Sequence, residues 1–174
     1  MSDTGLLKTR ALAAIDAGRA GFLQISATIH GQPELAFQEF KAAALLCETL
    51  ERHGFTVERG VGDLPTAFRA EARGVADGPT IALVAEYDAL PEIGHACGHN
   101  IIGAAAVAGA IGVRAVLGEL AGRVVVIGAP AEEGGGGKVI LVERGVFADV
   151  DAAMMVHPSV YTVVNRRSLA SMRL

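Results

Sequence analysis

The chain has 174 residues, of which 51 % are hydrophobic and 20 % are charged, and its formal net charge at pH 7 is −4. This length favours one domain with a sizeable buried core, and the apolar content argues against intrinsic disorder. The small negative charge excludes broad electrostatic binding to nucleic acid. No signal peptide is predicted at the N-terminus, and the longest apolar-rich segment, 101–113, is too short to cross a bilayer. We therefore expect a cytoplasmic protein with no nucleic-acid or membrane partner.

The first part of the chain predicts two helices followed by two short strands. Residues 6–29 are rich in alanine and leucine at helical spacing, and the segment His30-Gly-Gln-Pro33 ends this helix. Residues 34–53 predict a second helix. The segments 55–59 and 67–72 then predict strands, because apolar and polar residues alternate in them.

The rest of the chain alternates between strands and helices. Residues 80–85 and 123–128 predict buried strands, residues 152–156 predict a third strand, and the segments 100–117 and 138–144 between them predict helices. This alternation is typical of an α/β fold with a doubly wound, mainly parallel sheet. Open sheets of this class bind their ligands beyond the C-terminal ends of the strands.

Ionisable residues follow each of these three strands. Asp88 lies just beyond the first, Glu132-Glu133 beyond the second and His157 beyond the third. We therefore expect these side chains to meet at one edge of the sheet. Together with Cys97 and His99 they offer thiolate, imidazole and carboxylate ligands for a divalent metal, with one carboxylate left to move protons. The sequence thus points to a metal-dependent hydrolase.

Each of these residues also has a purely structural interpretation. Cys97 could be a small buried residue beside histidines that cap the next helix, and a lone histidine such as His157 after a strand is more often structural. Glu132-Glu133 would suit a helix N-terminus. In extended backbone, however, two adjacent carboxylates point in opposite directions, so that one can bind metal while the other takes a proton. Asp88 either binds the metal or orients a histidine that does.

Two other kinds of site fit the residues less well. The four glycines after Glu133 do not have the spacing of a phosphate-binding loop. A thiol hydrolase would use Cys97 as nucleophile and His99 or His157 as base, but this alternative leaves the glutamate pair without a role. Cys47 lies in a helical, apolar segment, is expected to be a buried hydrophobe, and forms no disulfide framework with Cys97.

Several segments of the chain match the pattern of a known family. They are Gln32-Pro-Glu-Leu-Ala-Phe-Gln-Glu39, Glu86-Tyr-Asp-Ala-Leu-Pro91, Gly94-His-Ala-Cys-Gly-His-Asn100, Pro130-Ala-Glu-Glu-Gly-Gly-Gly-Gly-Lys138 and Val156-His-Pro158. The chain resembles the M20 metallopeptidase/amidohydrolase family, and within it subfamily D. The Glu-Tyr-Asp-Ala-Leu-Pro form, and Asn100 where many members have Asp, are similar to the Xaa-Arg dipeptidase-like and aminobenzoyl-glutamate hydrolase-like branch.

The resemblance implies a zinc-peptidase-like catalytic domain that holds two divalent ions, zinc or manganese. It also implies hydrolysis of an amide bond in a small dipeptide or N-acyl amino acid. In the family pattern Glu132 matches the general base, which takes a proton from a metal-bound water, and Asp88 matches an acidic position near the site. The residues that match the metal ligands are Cys97, His99, Glu133 and His157.

Family members are considerably longer than this chain. In them a lid or dimerisation domain begins about where Asn165-Arg-Arg-Ser-Leu-Ala170 stands here, and a final histidine ligand follows it. We therefore expect residues 1–164 to form the N-terminal part of the catalytic domain, incomplete at its C-terminus, and residues 165–174 to start the further domain. The resemblance implies a homodimer for full-length relatives. The alternative is a non-catalytic remnant that acts, if at all, by association.

Overall fold

The computed structural model describes residues 3–159, so the predicted boundary at residue 165 lies outside the described residues. Four helices and five strands are present there, with short 3-10 turns at Val61–Asp63 and Leu117–Glu119. The helices are α1 (Asp3–Gly31), α2 (Phe40–Arg52), α3 (His99–Arg114) and α4 (Gly137–Glu143). The strands are β1 (Thr56–Arg59), β2 (Phe68–Arg73), β3 (Ala76–Ala85), β4 (Ala121–Gly128) and β5 (Ala152–Met154).

The five strands form one sheet in the order β1-β2-β4-β3-β5. Strand β3 pairs in parallel with both β4 and β5, whereas β2 runs antiparallel to both β1 and β4. Four of the five strands therefore point in one direction and only β2 opposes them. This arrangement confirms the predicted α/β fold with a mainly parallel sheet.

Helices cover both faces of the sheet, as alternation along β4 shows. Val124 and Val126 belong to the core shared with α1, α2 and α3, whereas Val125 and Ile127 belong to the core that includes Leu141 of α4. Successive residues of a strand face opposite sides. Residues 124–127 are therefore all apolar because β4 is buried on both faces, as in a doubly wound sheet.

Helix α2 begins at Phe40, six residues later than the sequence predicts, so the prediction of a helix from residue 34 is wrong. The carboxylate of Glu34 accepts hydrogen bonds from the backbone N–H groups of Lys41 and Ala42, at 2.9 Å each for its Oε2 atom. The chain therefore folds back so that an acidic side chain satisfies the free donors of the first helical turn. Phe37 takes a left-handed backbone conformation (φ 62°) within this turn.

The parallel strands bring their C-terminal ends to one edge of the sheet. Residues Glu86 to Asp88 continue directly from β3, Glu132-Glu133 follow β4 after a short loop, and His157 follows β5. Helix α3 begins at His99 after Gly98, whose φ of 83° is left-handed. Within the described residues, no helix is both long enough and apolar enough to span a membrane.

Candidate metal centre

The side chain of His99 lies at the centre of the site and is fully buried at the start of α3. Gly98 sets its position in two ways. It supplies the left-handed turn that starts the helix, and a Cβ atom there would lie only 2.9 Å from Cγ of Pro158. The loop that ends in His99 therefore packs closely against the segment that contains His157.

Asp88 connects the His99 ring to the loop after β4. Its Oδ1 atom accepts a hydrogen bond from Nδ1 of His99 at 2.9 Å, and its Oδ2 atom accepts one from the backbone N–H of Glu133, also at 2.9 Å. Because Nδ1–H donates this hydrogen bond to the carboxylate, the neutral ring has its free lone pair on Nε2. This is the tautomer that a metal ion requires of a histidine ligand.

The Nε2 atom of His99 faces three carboxylates. It lies 3.5 Å from Oε2 of Glu86, 3.6 Å from Oε1 of Glu133 and 3.8 Å from Oε2 of Glu132. Both Nε2 of His99 and Oε2 of Glu86 are buried and have no hydrogen-bond partner. Unpaired buried polar atoms are costly, and a divalent cation between them would satisfy both at once. The donor set present therefore fits a divalent metal.

His157 approaches the same point from the loop after β5. Its ring stands edge-on to that of His99, with 6.0 Å between the centroids and 86° between the planes. Its Nδ1 atom donates to the carbonyl of Pro158 at 2.7 Å, which leaves Nε2 free to bind a metal. Ligand atoms of Glu86, His99 and His157 all lie within 4.8 Å of one another, and so do those of His99, Glu132 and Glu133.

Cys97 stands slightly apart from these two groups, and its thiol hydrogen-bonds with Glu133. This hydrogen bond is the main reason why the pKa of Cys97 is raised to about 11, with burial adding to the effect. A thiol with such a pKa is protonated at neutral pH and is a poor nucleophile, which argues against a thiol hydrolase. Cys97 would bind a metal only as the thiolate, with its proton released to solvent.

In the metal-free protein the carboxylates around His99 favour its protonated ring, and a metal ion at Nε2 would replace that proton. Burial works against protonation of His99, but the hydrogen bond and the negative charge of Asp88 outweigh it and raise the pKa of His99. Burial alone would raise the pKa of Asp88, yet its hydrogen bonds with His99 and Glu133 lower it. Asp88 therefore stays a carboxylate behind the histidine.

Two residues at the site were not identified from the sequence. Glu86 is almost fully buried, and its Oε1 atom forms an ion pair with Nζ of Lys138 at the start of α4. The same Nζ lies 4.0 Å from Oε1 of Glu132. The position of Glu86 two residues before Asp88 was a usable signal, because such residues share one side of an extended chain. Lys138 ends the family-matching segment 130–138, but the segment gave this lysine no role at the site.

The side chain of Asn100 serves the fold rather than either group of candidate ligands. Its amide donates to the hydroxyl of Ser26 on α1 at 2.9 Å and to the carbonyl of the same residue at 3.3 Å. It therefore ties the start of α3 to α1. Cys47 is buried in the core between α2 and its neighbours, as the sequence predicts.

A cavity of about 440 Å³ opens beside the loop after β4. Glu133 and Gly134 form one wall of it, and the remaining lining comes from Ala89, Pro91 and the turn before α2. The apolar residues of this lining are Leu35, Ala36, Ala89 and Pro91. The cavity has the size of a small-molecule site, and one of the candidate metal ligands borders it.

Comparison with known proteins agrees with this geometry. Residues 82–166, which include every candidate ligand, match the Peptidase family M20/M25/M40. One subunit of the p-aminobenzoyl-glutamate hydrolase of Escherichia coli (strain K12) is 42 % identical over 92 % of this chain and 37 % of its own length. The Xaa-Arg dipeptidase of Mus musculus is 44 % identical over 88 % of this chain and 38 % of its own length.

A solved structure supports the same relationship. The crystal structure of a Bacillus subtilis protein, described as a dinuclear metal binding peptidase from the M20 family, has a TM-score of 0.73 at 32 % identity. The match covers 79 % of this chain and 42 % of that chain. The present chain spans less than two fifths of the length of the two enzymes above, which are 37 % and 38 % covered. On sequence and on fold, the chain belongs to the M20 family of peptidases and amidohydrolases.

Proposed function

We propose that this chain provides the metal centre of a hydrolase that cleaves the amide bond of a small dipeptide or N-acyl amino acid. The observation that carries the proposal is the pair of buried, unpartnered atoms, Nε2 of His99 and Oε2 of Glu86, which face the carboxylates of Glu132 and Glu133. A divalent cation would satisfy a buried cluster of this kind, and its imidazole and carboxylate donors are those of hydrolytic metal sites.

The proposed metal ligands are Cys97, His99, Glu133 and His157, and they would share two divalent ions. The similarity to a protein described as dinuclear supports two ions. The two groups of donor atoms share the single free nitrogen of His99, which would bind one ion of the pair, and the other donors would hold the second. Glu86 contributes one further oxygen to the first group. The thiol of Cys97 favours zinc, while the carboxylates and imidazoles also suit manganese.

Glu132 is the proposed general base. Its carboxylate is 39 % exposed and faces the open side of the site, whereas that of Glu133 is 21 % exposed and lies closer to Cys97 and Asp88. When bound, the metal ions supply Lewis acidity toward the scissile carbonyl and the attacking water. Glu132 takes the proton of that water and returns it to the leaving nitrogen, while Asp88 holds the His99 ring and the Glu133 backbone in place.

The proposed substrates follow from the relatives and from the cavity beside Glu133. The relatives are named for an aminobenzoyl-glutamate amide and for dipeptides that end in arginine. Both are small amides, and the cavity of about 440 Å³ would hold one side of such a molecule. Two free cysteines suit a reducing compartment, which supports a cytoplasmic location. Homodimer formation is proposed by analogy with full-length relatives.

The test is hydrolysis of p-aminobenzoyl-glutamate and of Xaa-Arg dipeptides by the metal-reconstituted protein, with Glu132→Gln as the matched variant. We expect turnover that is lost with a chelator, restored by zinc or manganese, and lowered about 10²- to 10⁴-fold in Glu132→Gln. Turnover that resists chelation and disappears in Cys97→Ser would favour the thiol hydrolase instead. Metal binding without any turnover would favour a non-catalytic role through association.

A further inference from the structure

Glu39 is a buried carboxylate that none of the steps above uses. It immediately precedes α2 and its side chain has no exposure to solvent. Its Oε1 atom accepts hydrogen bonds from the backbone N–H groups of Phe37 and Ala131, both at 2.9 Å, and its Oε2 atom accepts one from the hydroxyl of Thr66 at 2.8 Å. These three partners are uncharged. A carboxylate kept in the interior by neutral donors alone needs an explanation, because burying it is unfavourable.

The two backbone partners of Oε1 share an unusual conformation. Phe37 has a φ of 62° and Ala131 a φ of 57°, so both are non-glycine residues in the left-handed region. Residues with a Cβ atom adopt this region only when their surroundings hold them there. One oxygen atom of Glu39 thus ties together two unfavourable turns that are far apart in the sequence.

The two turns also pack directly on each other. A Cβ atom on Gly135 would lie only 2.2 Å from Cε2 of Phe37. The ring of Phe37 therefore covers the glycine segment that follows the glutamate pair. Glu39 holds the backbone of both partners in this contact.

The turn at Ala131 leads straight into the two glutamates of the metal centre. The N–H of Ala131 is bound by Glu39, and the N–H of Glu133, two residues later, is bound by Oδ2 of Asp88 at 2.9 Å. Two buried carboxylates therefore fix the backbone on either side of Glu132. The direction of both glutamate side chains depends on this backbone, because both residues lie in the turn that Ala131 begins and that the hydrogen bond from the N–H of Gly135 to the carbonyl of Ala131 closes at 3.0 Å.

We propose that Glu39 is a positioning residue of the metal centre, which holds the segment from Ala131 to Glu133 in the conformation that presents Glu133 to a divalent metal and Glu132 to the substrate. This inference rests on the proposed function. Glu39 contacts neither metal nor substrate, and acts through the backbone of Ala131. The network extends one step further, since the carbonyl of Thr66 accepts a hydrogen bond from the buried hydroxyl of Tyr87 at 2.6 Å.

The experiment compares Glu39→Ala and Glu39→Gln with two controls on α2. Thr49→Val removes another buried hydroxyl, whose hydrogen bonds stay within α2, and Glu48→Ala removes an exposed carboxylate. Co²⁺ titration of the 174-residue chain gives the metal affinity, and the cobalt absorption spectrum reports the ligand geometry. We expect Glu39→Ala to weaken Co²⁺ binding about 10- to 100-fold and to alter the spectrum, as loss of a supporting residue does. Both controls should retain the parent values.

The conservative variant separates positioning from simple packing. The amide oxygen of Glu39→Gln can still accept from Phe37 and Ala131, so we expect it to recover most of the affinity that Glu39→Ala loses. If Glu39→Ala does not fold, Thr66→Val serves in its place, because it removes the bond to Oε2 alone and should cause a smaller loss. A folded Glu39→Ala, or in its absence Thr66→Val, with parental affinity and spectrum would overturn the inference.

A second readout is independent of metal. Amide hydrogen exchange in the metal-free chain should be faster at Ala131 and Glu133 in Glu39→Ala than in the parent, and unchanged there in Thr49→Val. If the parent binds no metal, the proposed function fails, yet faster exchange at these two amides would still support Glu39 as the residue that orders the segment. Unchanged exchange would contradict it.

Discussion

Oδ1 of Asp88 lies 2.9 Å from Nδ1 of His99, and neither side chain is exposed to solvent. The contact fixes the orientation of the ring and leaves the lone pair of Nε2 directed toward Glu86, Glu132 and Glu133. Asp88 also binds the backbone of Glu133, so a single carboxylate aligns two of the proposed ligands. The first prediction follows from this double contact.

Asp88→Asn should lower the affinity for Zn²⁺ or Mn²⁺ about 10- to 100-fold. The amide that replaces the carboxylate offers one acceptor oxygen, so it cannot accept both the His99 and the Glu133 hydrogen bonds. Competitive titration with a metal indicator measures the effect, and Asp77→Asn, which changes an exposed aspartate on β3, is the control. Parental affinity in a folded Asp88→Asn would show that the contact does not support the metal site.

The two adjacent glutamates should behave differently when each is replaced by glutamine. Glu133→Gln removes a proposed ligand, and we expect it to lower bound metal per chain. Glu132→Gln removes a proposed base, and it should keep the metal while losing hydrolysis about 10²- to 10⁴-fold. Metal analysis after gel filtration tests the prediction for Glu133→Gln, and metal analysis together with the hydrolysis assay tests that for Glu132→Gln. Equal loss of metal in the two variants would mean that Glu132 is also a ligand.

Lys138→Met should destabilise the metal-free protein by about 1–3 kcal/mol, because it leaves the buried carboxylate of Glu86 without its cation. Added metal should reduce the loss, since the free oxygen of Glu86 belongs to the proposed site. Urea unfolding measures the loss of unfolding free energy with chelator and with zinc, and Lys8→Met on α1 is the control. A loss that is the same with and without zinc would place Glu86 outside the metal site.

The stability of the metal-free protein relative to Glu39→Gln should fall as the pH rises. Burial raises the pKa of Glu39 above its ordinary value of 4.5, although its hydrogen bonds partly oppose this. The folded state therefore binds this proton more tightly than the unfolded chain does. The resulting stabilisation is complete below the unfolded pKa and is lost as the pH passes the raised native pKa. Urea unfolding of the parent and of Glu39→Gln, from about pH 4 to neutral pH, gives the difference between their free energies of unfolding. A stability advantage of the parent that grows with pH would contradict the prediction.

The sequence predicts the framework of the site well, for a physical reason. Three apolar runs that are each followed by ionisable residues indicate parallel strands whose ends meet, and in the structure β3 lies between β4 and β5 and is parallel to both. Such periodicity is local, so it can be read from the chain. It also brings Asp88, Glu132 and His157 to one edge.

Other features depend on contacts between segments that are distant in the sequence, so local periodicity cannot predict them. Glu86 and Lys138 are 52 residues apart and form an ion pair only because α4 packs beside the end of β3. The late start of α2 depends on Glu34, which caps the helix from outside it. Glu39 looked like part of a helix, yet it binds Ala131, 92 residues further along the chain. No local periodicity encodes these three contacts.

The most direct test of the account is the metal content per chain after purification and reconstitution with zinc or manganese. The control is the double variant Cys97→Ala, His157→Ala, which removes two of the proposed ligands. We expect near-stoichiometric metal in the parent, at least one ion per chain, and its loss in the double variant. A folded parent that retains no more metal than the double variant would contradict the central claim that these residues form a metal site.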